Sequence, residues 1–303
     1  MIVYSLLAVT LLFACFSLLM AWQCKRYNGV DVVPQLLLAL SSAVFIHLYG
    51  TWVFVTIYAR YAFDICFVAV LVYALIMDRT AIGGRVSVWG RLLTATIFII
   101  MSVLYFTGTT GKPFGTAQLA LPFKWGTYLV FQGGKGLPTN LFHYKLRTAV
   151  YAIDLVKLNK AGNRAKHVFS ANLNDYEIYN DTLYSPCSGI VAKINDGNPD
   201  NIPPSRQRGP SNTNYILLQT DDIYVFMGHL IPASMLVAAG EHVMAGQPIA
   251  RCGNSGFSLE PHLHIQAHVK TNTGLPWYKE QPLLITFNGK FYRLFDEIRA
   301  LDK

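Results

Sequence analysis

The chain has 303 residues, of which 52% are hydrophobic and only 14% charged, and its formal net charge is +8. This length allows about two domains, and the composition is skewed toward membrane proteins. A positive charge suits anionic polymers, lipid headgroups or nucleic acid, but no helix or finger interleaves basic and aromatic residues, which argues against nucleic acid.

The first 110 residues contain four apolar stretches that we predict to be membrane-spanning helices. They are residues 2–22, 33–57, 61–77 and 92–110. The first is uncharged over 21 residues, enough to cross a bilayer core of roughly 30 Å. A signal peptide is the alternative, but no Lys or Arg precedes the run and no small-residue cleavage site follows it.

A histidine and an aspartate lie within these apolar stretches. His47 lies in the second stretch, and we interpret it as a buried or interface histidine. The third stretch is short and includes Asp64, which we expect at the level of the lipid headgroups. Its uncharged part alone would also suit a buried helix, so this span is the one most open to another interpretation.

Basic residues in the short loops predict the orientation of the helices. Most of these basic residues flank the first and third loops: Lys25, Arg26, Arg79, Arg85 and Arg91. The second loop has only Arg60, and Lys112 alone follows closely behind the fourth stretch. We therefore expect the first and third loops in the cytoplasm and both chain ends outside it.

The pattern changes at about residue 111. Residues 111–137 hold Gly, Pro and short apolar runs, which we interpret as a linker. Over residues 138–303, short β-rich segments alternate with turns, and the polar, proline-rich loop 197–214 should be exposed. No long amphipathic helix interrupts them. We therefore predict an all-β, mainly antiparallel domain over 138–303.

A histidine pair ends the segment GQPIARCGNSGFSLEPHLH at residues 246–264. Side chains two apart on a strand point to the same face, so His262 and His264 can serve one small site. Neutral imidazole is a common zinc ligand, and an unliganded imidazole can transfer protons. The pair alone remains weak support for a site.

In its full context this segment resembles the signature of the lysostaphin-like (LytM-type) zinc endopeptidases. The resemblance covers about residues 138–270 and includes SPCSGIV (185–191) and VAAGEHVMAGQPIA (237–250). The second of these has a glycine-turn rhythm shared with biotinyl- and lipoyl-like domains, so by itself it indicates fold rather than activity. The resemblance implies a zinc metallopeptidase with an all-β fold.

The resemblance also implies one zinc ion per chain, with three protein ligands and an open position for water. The implied ligands are His143, Asp154 and His264. The first two lie in NLFHYKLRTAVYAIDLV, which is similar to the long-loop variant of the family, where the histidine lies well ahead of the aspartate. In the compact variant the histidine lies four residues before the aspartate, and Val150 occupies that position here.

Two further histidines, His229 in YVFMGHL and His262, are implied to act on the zinc-bound water without binding the metal. Zinc lowers the pKa of that water toward about 7. One imidazole can then accept its proton, and the pair can stabilise the oxyanion; which does which stays open. The histidines without a motif match are interpreted as surface or packing residues: His167, His242 and His268.

These expectations describe a multi-pass protein of the bacterial inner (cytoplasmic) membrane whose peptidase domain faces the periplasm or the cell exterior. Its substrate would be a peptide bond in the peptidoglycan stem or cross-bridge. Two alternatives stay open: a non-catalytic regulator of other wall hydrolases, and a zinc peptidase acting on a non-wall envelope peptide. Outside the cytoplasm, Cys187 and Cys252 could form a disulfide, and this too is left open.

Overall fold

A computed structural model describes residues 2–77, 87–205, 210–271 and 274–300 of the chain. The chain divides into two compact units. The first comprises Met1–Thr107 with Ala161–Asn163, and the second comprises Gly108–Lys160 with Arg164–Lys303. Arg79 and Arg85, on which the predicted orientation partly depends, lie outside the described residues.

The first unit contains four long apolar helices, as the sequence predicts. They are α1 (Ile2–Gln23), α2 (Val32–Tyr49), α3 (Tyr58–Ile76) and α4 (Val88–Thr107). All four are long and apolar enough to cross a membrane, judged by length and composition. A helix satisfies its backbone polar groups internally, which a segment in hydrocarbon requires.

The second helix ends earlier than the apolar stretch 33–57 suggests. Gly50 is extended, and its backbone N–H donates to the carbonyl of Ile46 at 2.9 Å. The indole N–H of Trp52 donates to the same carbonyl at 3.0 Å. A Cβ at Gly50 would lie 2.5 Å from that oxygen, so a glycine is required where the chain leaves the helix.

The helices pack through small residues and aromatic rings. Buried alanines of α1 and α2, Ala14, Ala21, Ala39 and Ala43, share a core with Phe63 and Phe67 of α3. Small residues let helix backbones approach closely. His47 Nδ1 and Asp64 Oδ2 lie 2.8 Å apart and join α2 to α3, each side chain being about one third exposed.

The second unit is an all-β, mainly antiparallel domain, which confirms the predicted fold class. Its strands are β1 (Thr116–Leu119), β2 (Thr127–Gln132), β3 (Ile153–Leu158), β4 (Thr182–Tyr184), β5 (Gly189–Asn195), β6 (Tyr215–Gln219), β7 (Ile223–Gly228), β8 (His242–Val243), β9 (Pro248–Arg251), β10 (Leu263–Val269), β11 (Pro282–Phe287) and β12 (Glu297–Arg299). One short helix, α5 (Leu141–Tyr144), lies between β2 and β3.

The large sheet has the order β12-β2-β3-β10-β7-β6-β5-β8, with β11 beside β10 and β1 parallel to β11. Strands β4 and β9 form a separate pair. Residues 111–137, predicted to be a linker, therefore hold two strands of the domain. Three successive residues of β2 are buried, Tyr128, Leu129 and Val130, the last two at 0% exposure, so this segment contributes to the core.

Strand β10 positions the site because it lies between β3 and β7 in the centre of the sheet. Its apolar residues Leu263, Ile265 and Ala267 are buried in the core. With the period-2 alternation of a strand, the residues between them, including His264, belong to the opposite face. One face therefore builds the core, and the other is free to build a site.

Candidate functional site

The centre of the candidate site is one pair of residues facing each other across two strands. His264 of β10 pairs with Asp154 of β3 in the antiparallel ladder. Directly opposed residues have Cβ atoms about 5 Å apart, and here Nδ1 of His264 lies 3.0 Å from Oδ1 of Asp154. The sheet register therefore brings together two residues that are 110 positions apart in the sequence.

The third predicted ligand reaches this pair from the connection between β2 and β3. His143, in α5, places Nε2 3.4 Å from Oδ2 of Asp154, and its ring centroid lies 4.8 Å from that of His264. One donor atom from each of the three residues lies within 4.8 Å of the other two. Two imidazoles and a carboxylate are a donor set that zinc accepts.

Amide oxygens contact the ring nitrogens of His143 and His264 that point away from Asp154, and this arrangement suits a metal site. Nδ1–H of His143 donates to Oδ1 of Asn140 at 2.8 Å, and the amide of Asn140 cannot be turned around, because its Nδ2 donates to the carbonyls of Val150 and Ala152. Nε2–H of His264 donates to Oε1 of Gln266 at 3.1 Å. Such outer contacts fix which nitrogen faces a metal.

The two histidines predicted to act on water lie beside this cluster. His229 follows β7 with φ +67°, and its Nδ1–H donates to the carbonyl of Ser255 at 2.7 Å. His262 precedes β10, and its Nδ1–H is directed to the carbonyl of Glu260 at 2.8 Å. Their ring centroids are 4.5 Å apart, and both rings present Nε2 as the nitrogen without a carbonyl partner.

Burial sets the ionisation of the site. It lowers the pKa of His143 to about 4, although the Asp154 carboxylate opposes this effect, and it lowers the pKa of His229 well below the usual value. Burial alone would raise the pKa of Asp154, but the electrostatic effect of the neighbouring His143, His262 and His264 rings reverses this, so the pKa lies below its usual range. A neutral His143 ring and an ionised Asp154 carboxylate are the forms in which these two groups bind a divalent cation.

All five predicted residues line one cleft with a volume of about 340 Å³. Its walls also include apolar side chains: Phe131, Phe142, Leu146, Ala149, Phe226, Phe257 and Leu259. Clefts of about this volume, with mainly apolar walls and a few convergent polar groups, are typical of ligand-binding sites. The structure thus brings together every residue that the sequence assigned to the site, while their individual roles stay predictions.

The other histidines and the cysteines lie apart from this arrangement. His167 and His242 are exposed, and His268 is buried, with its Nδ1–H donating to the carbonyl of Glu280 at 3.0 Å. Cys187 and Cys252 are free thiols, and burial raises the pKa of Cys187 to about 11. Burial also raises the pKa of Cys252, so neither thiol is in the reactive thiolate form at neutral pH.

The sequence did not single out two residues that support the site. Gln266 lies two positions after His264, and the period-2 alternation of a strand could have indicated it. Glu260 could not have been found in this way, because its carboxylate is buried against Arg164, which is 96 positions away in the sequence.

Residues 175–276 match the family model described as Peptidase family M23. No curated protein matches the chain. Among solved structures, lysostaphin from Staphylococcus simulans is 21% identical with a TM-score of 0.30, and the match covers 50% of this chain and 47% of that one. The chain thus spans about half the length of that relative.

Two further structures are similar at lower identity. A putative peptidase M23 from Pseudomonas aeruginosa is 14% identical, with coverages of 57% of this chain and 54% of that chain and a TM-score of 0.31. A zinc containing peptidase from Vibrio cholerae is 18% identical, with coverages of 44% and 49% and a TM-score of 0.25. Likenesses this distant carry no argument about function.

Proposed function

We propose that this chain is a membrane-anchored zinc endopeptidase. The premise is that it carries a domain of peptidase family M23 joined to N-terminal apolar helices. The observation that carries the proposal is the cluster of His143, Asp154 and His264, whose donor atoms lie within 4.8 Å of one another. The hydrogen bonds from His143 to Asn140 and from His264 to Gln266 leave Nε2 of His143 and Nδ1 of His264 to face a metal.

In this mechanism His143, Asp154 and His264 would hold the zinc ion. The ion would supply a water of lowered pKa and polarise the scissile carbonyl. His229 and His262 each hold Nδ1–H against a carbonyl oxygen, so Nε2 is the atom that can accept a proton. A proton taken there can be passed to the leaving amine, and both rings can stabilise the developing oxyanion.

The proposed substrate is a peptide bond in the stem or cross-bridge of peptidoglycan. Its support is the family match, together with the predicted location of the domain outside the cytoplasm. The test incubates the purified full-length chain in nanodiscs with isolated peptidoglycan sacculi. We expect new free amino groups to appear, to be abolished by a zinc chelator and to be restored by added zinc. Release that is insensitive to the chelator would contradict the zinc mechanism.

The proposed membrane anchoring is supported by cation–π contacts at one end of the helices. Lys25 Nζ lies 3.5 Å from the ring centroid of Trp22, and the guanidinium of Arg91 lies 4.2 Å from that of Tyr27. Arg91 Nη1 also donates to the carbonyl of Asp31 at 3.4 Å. Aromatic and basic residues concentrate at membrane interfaces, so these contacts fit a cytoplasmic surface formed by the first loop and the start of α4.

A second candidate keeps the chemistry but changes the target to a non-wall envelope peptide. The observation that favours it is the apolar rim of the cleft, where Phe142, Leu146 and Phe257 are 55%, 57% and 52% exposed. Apolar side chains of a substrate would find contacts there. Cleavage of unfolded casein but not of sacculi would favour this candidate. The intact ligand set argues against a third possibility, a non-catalytic regulator of wall hydrolases.

A further inference from the structure

A buried ion pair lies beside the candidate site and includes none of the three predicted metal ligands. Nε and Nη2 of Arg164 donate to Oε1 and Oε2 of Glu260 at 2.7 and 2.8 Å, and the side chains are 1% and 7% exposed. A two-point contact between planar groups fixes orientation as well as distance. Arg164 belongs to the connection between β3 and β4, and Glu260 lies two residues before His262.

The backbone of Glu260 sets the orientation of the His262 ring. Its carbonyl oxygen accepts from Nδ1 of His262 at 2.8 Å, and Oγ of Ser258 lies 3.2 Å from the same nitrogen. Because a carbonyl oxygen carries no proton, the hydrogen must reside on Nδ1. This leaves Nε2 facing the metal cluster, 3.6 Å from Oδ1 of Asp154.

The segment from Ser258 to Glu260 lies outside the strands and is held from both ends. At its start, Oγ of Ser258 donates to Oδ1 of Asn254 at 2.6 Å, and Nδ2 of Asn201 donates to the carbonyl of Ser258 at 3.1 Å. At its end, the carboxylate of Glu260 is held by Arg164. The carbonyl oxygen of Glu260, which accepts from His262, is therefore held in place by the Glu260 side chain.

Arg164 is itself held in place. Its Nη2 also donates to the carbonyl of Val168 at 3.0 Å, and its own carbonyl accepts from the backbone N–H of Glu177 at 2.9 Å. Its guanidinium lies 5.9 Å from the ring centroid of Tyr176. Glu260 is thus attached to a rigid part of the β3–β4 connection.

A buried ion pair is a poor device for stability, because removing two charges from water costs free energy that apolar residues of the same size would not. We propose that Arg164 and Glu260 are positioning residues that hold the His262 ring in its Nδ1–H form, with Nε2 directed at the substrate. The inference rests on the proposed function, since it gives the pair a role in the same hydrolysis.

The test compares two variants of the full-length chain in nanodiscs. Glu260→Gln keeps the size of the side chain and removes its charge, while Arg164→Met with Glu260→Gln leaves no unpaired charge. On soluble peptidoglycan fragments we expect kcat to fall about 10- to 100-fold through loss of alignment. KM should stay within about twofold, and zinc content should be unchanged, because neither residue is a ligand.

The matched control removes another ion pair of the same domain, Lys157 with Asp181. Its carboxylate also accepts from the hydroxyl of Tyr128 rather than anchoring the segment before His262. The double variant Lys157→Met/Asp181→Asn should therefore leave kcat unchanged. An equal loss of kcat in this control would show a general effect of removing charges and would overturn the proposal.

A second measurement does not depend on activity. The chain has eight histidines, so ¹⁵N-histidine labelling gives few signals, and His262→Gln assigns the one of interest. We expect a single Nδ1–H tautomer at His262 in the wild type and a mixture in both variants. An unchanged tautomer together with unchanged kcat would overturn the proposal, as would loss of zinc in parallel with kcat. If the wild type cleaves no peptidoglycan, the proposed function fails while the tautomer still tests the positioning.

Discussion

At the scale of single residues, the assignment of metal ligands can be tested apart from catalysis. His264→Ala removes the imidazole that faces Asp154 across the ladder, so we expect zinc content to fall from about one per chain to near zero. Elemental analysis of the purified chain measures it. His242→Ala, on the exposed side of β8, should leave zinc content unchanged. Full occupancy in the His264 variant would refute this ligand set.

The two remaining histidines of the site should separate metal binding from turnover. His229→Ala and His262→Ala each remove a proton acceptor but no ligand. We therefore expect both variants to keep their zinc and to lose roughly 10²–10⁴-fold in turnover. Parallel measurements of zinc content and of amino groups released from sacculi decide the matter. If zinc is lost together with activity, these residues bind the metal.

The depressed pKa of His143 has a consequence for stability without metal. Burial lowers this pKa to about 4 in the folded chain, against about 6.5 when unfolded, so the unfolded state binds more protons between these values. The metal-free chain should therefore lose up to about 3 kcal/mol of stability as pH falls from 6.5 to 4. Melting temperatures of chelator-treated protein, compared with His143→Gln, test this; an equal loss in the variant would contradict it.

At the scale of elements, α5 depends on Asn140, which joins His143 to the backbone before β3. Asn140→Ala removes the acceptor of the His143 ring and both bonds to the carbonyls of Val150 and Ala152. We expect zinc affinity to weaken about 10- to 100-fold, measured by competition with a chelating dye. Asn172→Ala, which removes the cap of the 3-10 turn Leu173–Asp175, is the control; equal affinities would contradict this role.

The sequence predicts long or strongly patterned elements better than short ones. The four helices are apolar over 18 to 22 residues, and the alternation around His262 and His264 indicates a strand directly. Strands β1 and β2 are only four and six residues long and lie among Gly and Pro, so the sequence indicates a linker there. Their partners, β11 and β3, are separated from them in sequence, and pairing over such distances leaves no local pattern.

The same limit applies to the candidate site. The sequence identifies His264 and Asp154 because each lies in a segment that resembles a known signature. Arg164 lies in a connection with no motif, and its burial against Glu260 depends on how two connections fold together. The bonds of Asn140 to two backbone carbonyls likewise depend on a turn between β2 and β3. Tertiary contacts of this kind carry no periodic signal.

At the scale of the whole molecule, the proposed substrate requires the β domain to lie outside the cytoplasm. Reporter enzymes fused after Thr107 and at the C-terminus, one active only in the cytoplasm and the other only outside, test this. We expect the external reporter to be active at both positions, because Arg79 and Arg85 precede α4, Arg91 lies in its first turn, and only Lys112 closely follows it. Cytoplasmic activity at both positions would exclude peptidoglycan as the substrate.

The central position of β10 determines which changes of length the site can tolerate. His262, His264 and Gln266 share one face through alternation, so an insertion or deletion of one residue within this strand would turn the whole set toward the core. The connection that carries His143 is under no such constraint, since it must only return α5 to the same place. During divergence, the spacing between His143 and Asp154 is therefore free to vary, whereas the spacing between His262 and His264 is not.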